Sequence, residues 1–250
     1  MNYYKEWGLI DNPFNTFPLT PDEDGEVLLV ERQKEMKQIK LQLCSSNNLI
    51  TVEGANGIGK TSLINVATFE LFREYLISNN GEFFIPCDIC FQLTADKNIE
   101  DFVDEVMMAI AQTLIKRAKI LKDKGYIFNN NKQIDKWLNS PILSTYNGNV
   151  SSIIAGIGLG KTSETNTSIG YLRSGFKVQV INWLEQIFPY STHRKSGIVC
   201  ILDNLELLQT SSNARKQVEA LRDTLFNYTG IRWVLCGSLG IVKSVASSSD

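Results

Sequence analysis

The sequence predicts an α/β fold: a mainly parallel sheet with helices covering its faces. Three observations carry this. Short apolar runs alternate with stretches of helical period along most of the 250 residues. Two of the runs, 198–202 and 231–236, are almost continuously apolar, as strands buried on both faces are. A glycine-rich loop joins a third run, 49–52, directly to a helical stretch.

Residues 1–28 read as an irregular arm punctuated by Asn12-Pro13-Phe14, Phe17-Pro18 and Thr20-Pro21, able to wrap the domain. A helix is expected over 31–44, where Met36, Ile39, Leu41 and Leu43 stand among lysines and glutamines. A strand follows at 48–53, then the glycine loop, then a helix to about residue 77 through Leu63, Val66, Ala67, Leu71 and Leu76. Asn79-Asn80-Gly81 signals a turn. Residues 83–88 read as a second strand, and Pro86, which lacks an N–H, marks an edge or a strand end.

The clearest helical period lies at 99–122, carried by Phe102, Val106, Ala109, Ile110, Leu114 and Ala118. Residues 123–150 are polar and asparagine-rich, with a turn at Asn147-Gly148. Glycines at every second position from Gly156 to Gly160, with Tyr171 and Leu172 downstream, suggest a β-hairpin over 150–173. We therefore read 123–175 as an insertion in a single domain spanning 1–250. Helix returns near 176–188 through Phe176, Val180, Leu184 and Ile187, and again around Val218, Leu221 and Leu225.

Composition is that of a globular protein: 43% hydrophobic, 21% charged, net charge −2. No basic balance points to nucleic acid. The polar start and the lack of an apolar run near the ~20 residues of a membrane span point to a cytoplasmic protein. Five cysteines and one histidine fit that compartment. Cys87-Asp88-Ile89-Cys90 is a C-x-x-C, but with no second pair and only His193 to help, a strand end is the simpler reading.

The chemistry concentrates at Gly54-Ala55-Asn56-Gly57-Ile58-Gly59-Lys60-Thr61, followed by Ser62, which fits G-x-x-x-x-G-K-[ST]. Glycines let consecutive N–H groups curl toward phosphate oxygens, and the helix start that follows favours an anion. Lys60 is placed to reach the β- and γ-phosphates, and Thr61 to offer its hydroxyl to Mg²⁺. A metal-positioning carboxylate is expected at the end of a neighbouring strand. Asp203 ends the apolar run 198–202, and Glu206, three residues on, is the candidate to orient water. Asn204 stands where many such enzymes carry a catalytic glutamate. Ser238, just past the run 231–236, is placed to sense the γ-phosphate. A second glycine loop, Ala155 to Thr162, fits a relaxed pattern, but the polar stretch after it has no helical face.

With these residues in place, the chain resembles the AAA+ and STAND P-loop ATPases, especially the origin-recognition-like AAA ATPase domain. Trp7-Gly8-Leu9 and Asn12-Pro13-Phe14 resemble that group's N-terminal arm, and Val30-Glu31-Arg32-Gln33-Lys34-Glu35 its G-R-E segment, with Glu31 in place of the glycine. Asp203-Asn204-Leu205-Glu206 is similar to the acid segment of NACHT-type members, and Trp233 to Ser238 to the sensor strand. The resemblance implies that the acid and sensor strands lie beside the loop strand and that the arm packs near the adenine. Pro13, Phe14 and Arg32 are then base-side candidates. It implies ATP with Mg²⁺ as ligands, with hydrolysis driving assembly or a conformational switch. The chain reaches Asp250 soon after the sensor-like strand, so the family's helical lid is expected to be missing. Another copy or a protein partner would then supply a lid or an arginine finger, and Arg222 and Arg232 are finger candidates in trans. Two other outcomes stay open: an ATP-gated scaffold with little hydrolysis, favoured by Asn204, and a nucleic-acid-associated ATPase. A GTPase is disfavoured because Asp135 falls one residue late for N-K-x-D after Asn131-Lys132.

Overall fold

A computed structural model describes residues 16–45, 49–94, 96–126, 169–192, 195–208 and 212–238. Four strands form one all-parallel sheet: β1 (Leu49–Glu53), β2 (Phe84–Gln92), β3 (Gly197–Asp203) and β4 (Ile231–Gly237). Their order is β1-β4-β3-β2. The sensor-like strand β4 thus pairs directly with the loop strand β1, and the acid strand β3 lies one place further. Among the described residues the helices are α1 (Glu23–Leu28), α2 (Gln33–Ser45), α3 (Lys60–Ser78), α4 (Ile99–Lys116), α5 (Ala118–Asp123), α6 (Ile169–Ile187) and α7 (Ser212–Leu221).

The continuous apolar runs explain the strand order. All residues of β4, and all but the last of β3, are buried, and these are the two central strands. β1 alternates exposed and buried at its start and is an edge. β2 is the other edge, and Pro86 sits in it, where a missing N–H costs no ladder bond on the open side. Register shifts between Pro86 and Cys90, so the strand bulges there. The C-x-x-C is therefore inside a strand rather than at its end. Cys87 faces the core beneath α4, and Cys90 packs on the α3 side.

Successive β3 residues alternate between two cores. Val199 and Ile201 meet Met36, Ile39 and Leu43 of α2 and Leu63, Ile64 and Ala67 of α3. Ile198, Cys200 and Leu202 meet α4 and α6, with Phe102, Val106, Trp183 and Leu184. The spacing 36, 39, 43 is one helix face, and Leu41, off that face, is 67% exposed. Asn79 in the left-handed region (φ 55°) ends α3, its N–H bonding Tyr75 O, and Gly81 (φ 89°) completes the expected turn.

Three expectations need correction. The arm is not irregular throughout. Thr20 Oγ1 donates to Asp22, whose carboxylate accepts Gly25 N–H at 2.9 Å and caps α1, ahead of Glu23, Asp24 and Glu26 in the first turn. The helix expected over 99–122 breaks at Arg117, whose guanidinium pairs with Asp88 at 2.8 Å and lies over the Phe72 ring. Helix α6 already begins at Ile169, so Tyr171 and Leu172 are helical and the hairpin cannot reach 173. Helical period from Phe176 simply continues backward through them. The remainder of that hairpin and the second glycine loop lie outside the described residues, as do the GTPase-like segment, His193 and 239–250.

Gly197 starts β3 where the backbone of Gly230 crosses it. A Cβ there would sit 2.7 Å from Gly230 O, which also accepts Ile198 N–H at 2.8 Å. Gly197→Ala is expected to lower stability by about 1–3 kcal/mol, read as an earlier urea midpoint with unchanged slope.

Candidate functional site

The site forms at the carboxyl end of the sheet, where α/β folds place ligands. β1 runs into Gly54, whose N–H bonds Gly237 O at 3.2 Å and pins the loop to β4. Gly57 and Gly59 have φ of 76° and 84°, conformations that L side chains rarely adopt, which is why the loop needs glycine at both places. Ala55, Asn56, Gly57 and Ile58 are exposed. Gly59 starts α3 without a side-chain cap, and the first turn holds no acidic residue. Leu63 N–H bonds Gly59 O in the first helical turn, so the amides of Lys60, Thr61 and Ser62 precede the ladder. They form, with the helix dipole, a positive end for an anion.

Two long-range contacts join the predicted residues. Thr61 Oγ1 donates to Asp203 Oδ2 at 2.5 Å across 142 residues of sequence. Asp203 Oδ1 also accepts Asn204 N–H at 2.8 Å, with Asn204 in the left-handed region (φ 58°). A short 3₁₀ turn, Leu205–Leu208, then carries half-buried Glu206 toward β4, where Glu206 Oε2 accepts Ser238 N–H at 3.3 Å. Lys60 Nζ donates to the carbonyls of Gly54 and Ala55, both at 3.1 Å, and so lies across the mouth of the loop.

Thr61 and Asp203 present one hydroxyl and one carboxylate. Among the described residues no group of three or more His, Cys, Asp or Glu side chains is arranged to hold a metal. A hard oxygen pair of this kind suits Mg²⁺, which keeps waters and takes substrate phosphates as its other ligands. The thiols beneath stay uncharged: burial pushes Cys90 up to about 12, with Cys87 and Asp203 adding to it, and burial likewise raises Cys236.

Of the base-side candidates, Arg32 does reach the loop. Its Nη1 donates to Ile58 O at 3.0 Å while Nε pairs with Glu35 at 3.1 Å. Glu31, standing where the resembled family has glycine, has φ 59°, so the backbone keeps the glycine-like turn that aims Arg32. Arg32, Gln38, Gln42, Gly54, Ile58 and Lys60 border a cavity of about 260 Å³ between α2, β1 and the loop. Pro13 and Phe14 lie outside the described residues. Ser62, also assigned to the ligand by sequence, accepts Leu19 N–H on its hydroxyl at 3.0 Å, so its amide is the group left to face an anion. Arg232 cannot be a finger in trans: it is 2% exposed and donates to Leu43 O near the end of α2. Arg222 is half-buried at the start of a π-type turn.

Sequence reasoning missed Leu19 and Asn65. Buried Asn65 donates to Leu19 O at 2.8 Å, so together with Ser62 it clamps one arm peptide at both N–H and C=O. A buried asparagine one turn after the Lys-Thr pair was the available signal. No family model and no curated protein matches the chain. Among the described residues no helix is long and apolar enough to cross a membrane.

Asn65→Ala leaves Leu19 O without its donor and is expected to cost about 1–3 kcal/mol. The arm should then be cut faster in limited proteolysis at a protease dose that leaves the remaining core intact.

Proposed function

We propose that this chain binds ATP with Mg²⁺ at the 54–62 loop and hydrolyses it to drive assembly or a conformational change. The observation that carries the reading is the Thr61–Asp203 bond at 2.5 Å. A glycine loop before a helix is common. A loop whose hydroxyl meets a carboxylate at the end of another parallel strand is what a metal-bridged triphosphate requires. The glycine conformations at 57 and 59, the uncapped start of α3 and the position of Lys60 support the same ligand.

In this reading the loop amides and Lys60 neutralise phosphate charge. Mg²⁺, when bound, would supply neutralisation of the charge that develops in transfer. Thr61 and Asp203 hold it in place. Glu206 orients the attacking water, and Ser238 reports on the γ-phosphate through the hydrogen bond that its backbone N–H donates to Glu206. Arg32 fixes the loop from the arm side. A neighbouring copy or a protein partner supplies any further lid or cation.

A second reading, an ATP-gated switch that hardly hydrolyses, is favoured by one specific arrangement. Asn204 follows Asp203, and the nearest carboxylate, Glu206, is engaged by Ser238 N–H.

ATP affinity and phosphate release, measured together with Mg²⁺, separate the two. Lys60→Ala removes a charge-assisted contact and is expected to weaken ATP binding by roughly ten- to a hundredfold. Glu206→Gln should bind ATP as the parent does and release phosphate far more slowly. Binding without release in the parent, with oligomer size following nucleotide, would select the switch. No binding at millimolar ATP would reject both.

A further inference from the structure

We propose that Gln92 is a catalytic residue of this site, orienting the attacking water from the β2 side of Asp203; the inference rests on the ATP reading above. β2 and β3 pair in parallel with Gln92 opposite Asp203 and Phe91 opposite Leu202. Residues opposite one another on neighbouring strands send their side chains to the same face, and successive residues to opposite faces. The cores confirm the register. Cys90 and Ile201 lie on the α3 side, whereas Phe91, Leu93, Cys200 and Leu202 lie on the α4 side. Gln92 therefore shares its face with Asp203, which is bonded to Thr61 of α3.

Gln92 is exposed between Phe91 and Leu93, which are 0% and 1% exposed. Its neighbours at the sheet's carboxyl end are already engaged: Asp203 with Thr61 and Asn204 N–H, Glu206 with Ser238 N–H. Among the described residues the Gln92 carboxamide makes no hydrogen bond of its own. It is thus a polar side chain that projects at the open end of the sheet with both a donor and an acceptor to offer.

Chemistry gives that pair of groups a use. In hydrolysis the water oxygen forms a bond to the γ-phosphorus and the bond to the β,γ-bridging oxygen breaks. ADP leaves with that electron pair, and both water protons end on the released dihydrogen phosphate. The carboxamide oxygen accepts a hydrogen bond from the water and fixes its lone pair, while the NH₂ group donates to a γ-phosphate oxygen. No net proton passes through the side chain, so glutamine suffices, as it does in GTPases that orient water with one. Gln92 comes from the β2 side of Asp203 and Glu206 from the β4 side. This division compensates for asparagine at position 204.

The test uses the full chain with Mg²⁺ and ATP, comparing the parent with Gln92→Ala for ATP affinity, kcat, KM and thermal midpoint. We expect kcat to fall on the order of a hundredfold, with affinity, KM and midpoint unchanged. A kcat within about twofold of the parent would overturn the role, as would a loss tracking a lower midpoint or weaker ATP binding. A parent that binds ATP but releases no phosphate would overturn it while leaving ATP binding intact. A parent that does not bind ATP would end the underlying reading as well.

Discussion

The hydrogen bond from the Thr61 hydroxyl to the Asp203 carboxylate is the constraint around which the described end of the molecule is arranged. It ties the first turn of α3 to the last residue of β3. Neither end can shift independently, because β3 is locked between two cores and α3 starts from a left-handed glycine. The hydroxyl and the carboxylate are thereby held together before the proposed metal and triphosphate arrive. Preorganisation of this kind lowers the ordering cost that binding would otherwise carry.

Charge around that bond is layered. The loop amides and Lys60 lie above it and carry the positive potential. Below it the face toward α3 is apolar or neutral: Val199, Ile201 and Val234, with Cys90 and Cys236 kept protonated by burial. A neutral floor screens a carboxylate poorly, so Asp203 attracts a cation more strongly than it would in water. The arm closes the side. Leu19 is gripped by Ser62 and Asn65, Glu26 pairs with Arg73, and Arg32 bonds the loop at Ile58. Two of these grips fall within the first turns of α3, next to Thr61, which links arm position mechanically to whatever the loop holds.

The strands and the loop were legible in the sequence because they depend on local signals. Continuous apolar runs name β3 and β4, Pro86 marks the β2 edge, and the glycine spacing needs only the backbone map. Asp203 was legible for the same reason, as the first charge after a buried run. What escaped depends on contacts far apart in sequence. That the Ser62 hydroxyl accepts from Leu19, 43 residues earlier, is one such contact. Arg232 reads as a surface cation until the end of α2 is placed against it. The helix over 99–122 breaks at Arg117, which pairs with Asp88 of β2, a contact that no period within the helix records. Glu31 is another case: its left-handed backbone (φ 59°) is not signalled by its residue type.

The same comparison bears on position 204. Glu31 adopts φ 59° and Asn204 φ 58°, so a left-handed backbone does not by itself forbid an acid after Asp203. Asparagine there is a chemical difference rather than a steric one. Its backbone N–H, which any residue but proline would supply, donates to Asp203 Oδ1, and the 3₁₀ turn that follows carries the next carboxylate along the chain, Glu206, toward β4. The half of the site proposed to hold the metal, Thr61 and Asp203, is thereby built on rigid elements and direct contacts. The water-handling half depends on side chains reaching in from the two flanks. Binding should consequently tolerate changes at the flanks, whereas turnover should be sensitive to them. On the proposed ATP reading, that asymmetry would let the chain hold nucleotide and release phosphate only when a partner, or another copy, perfects the flanks.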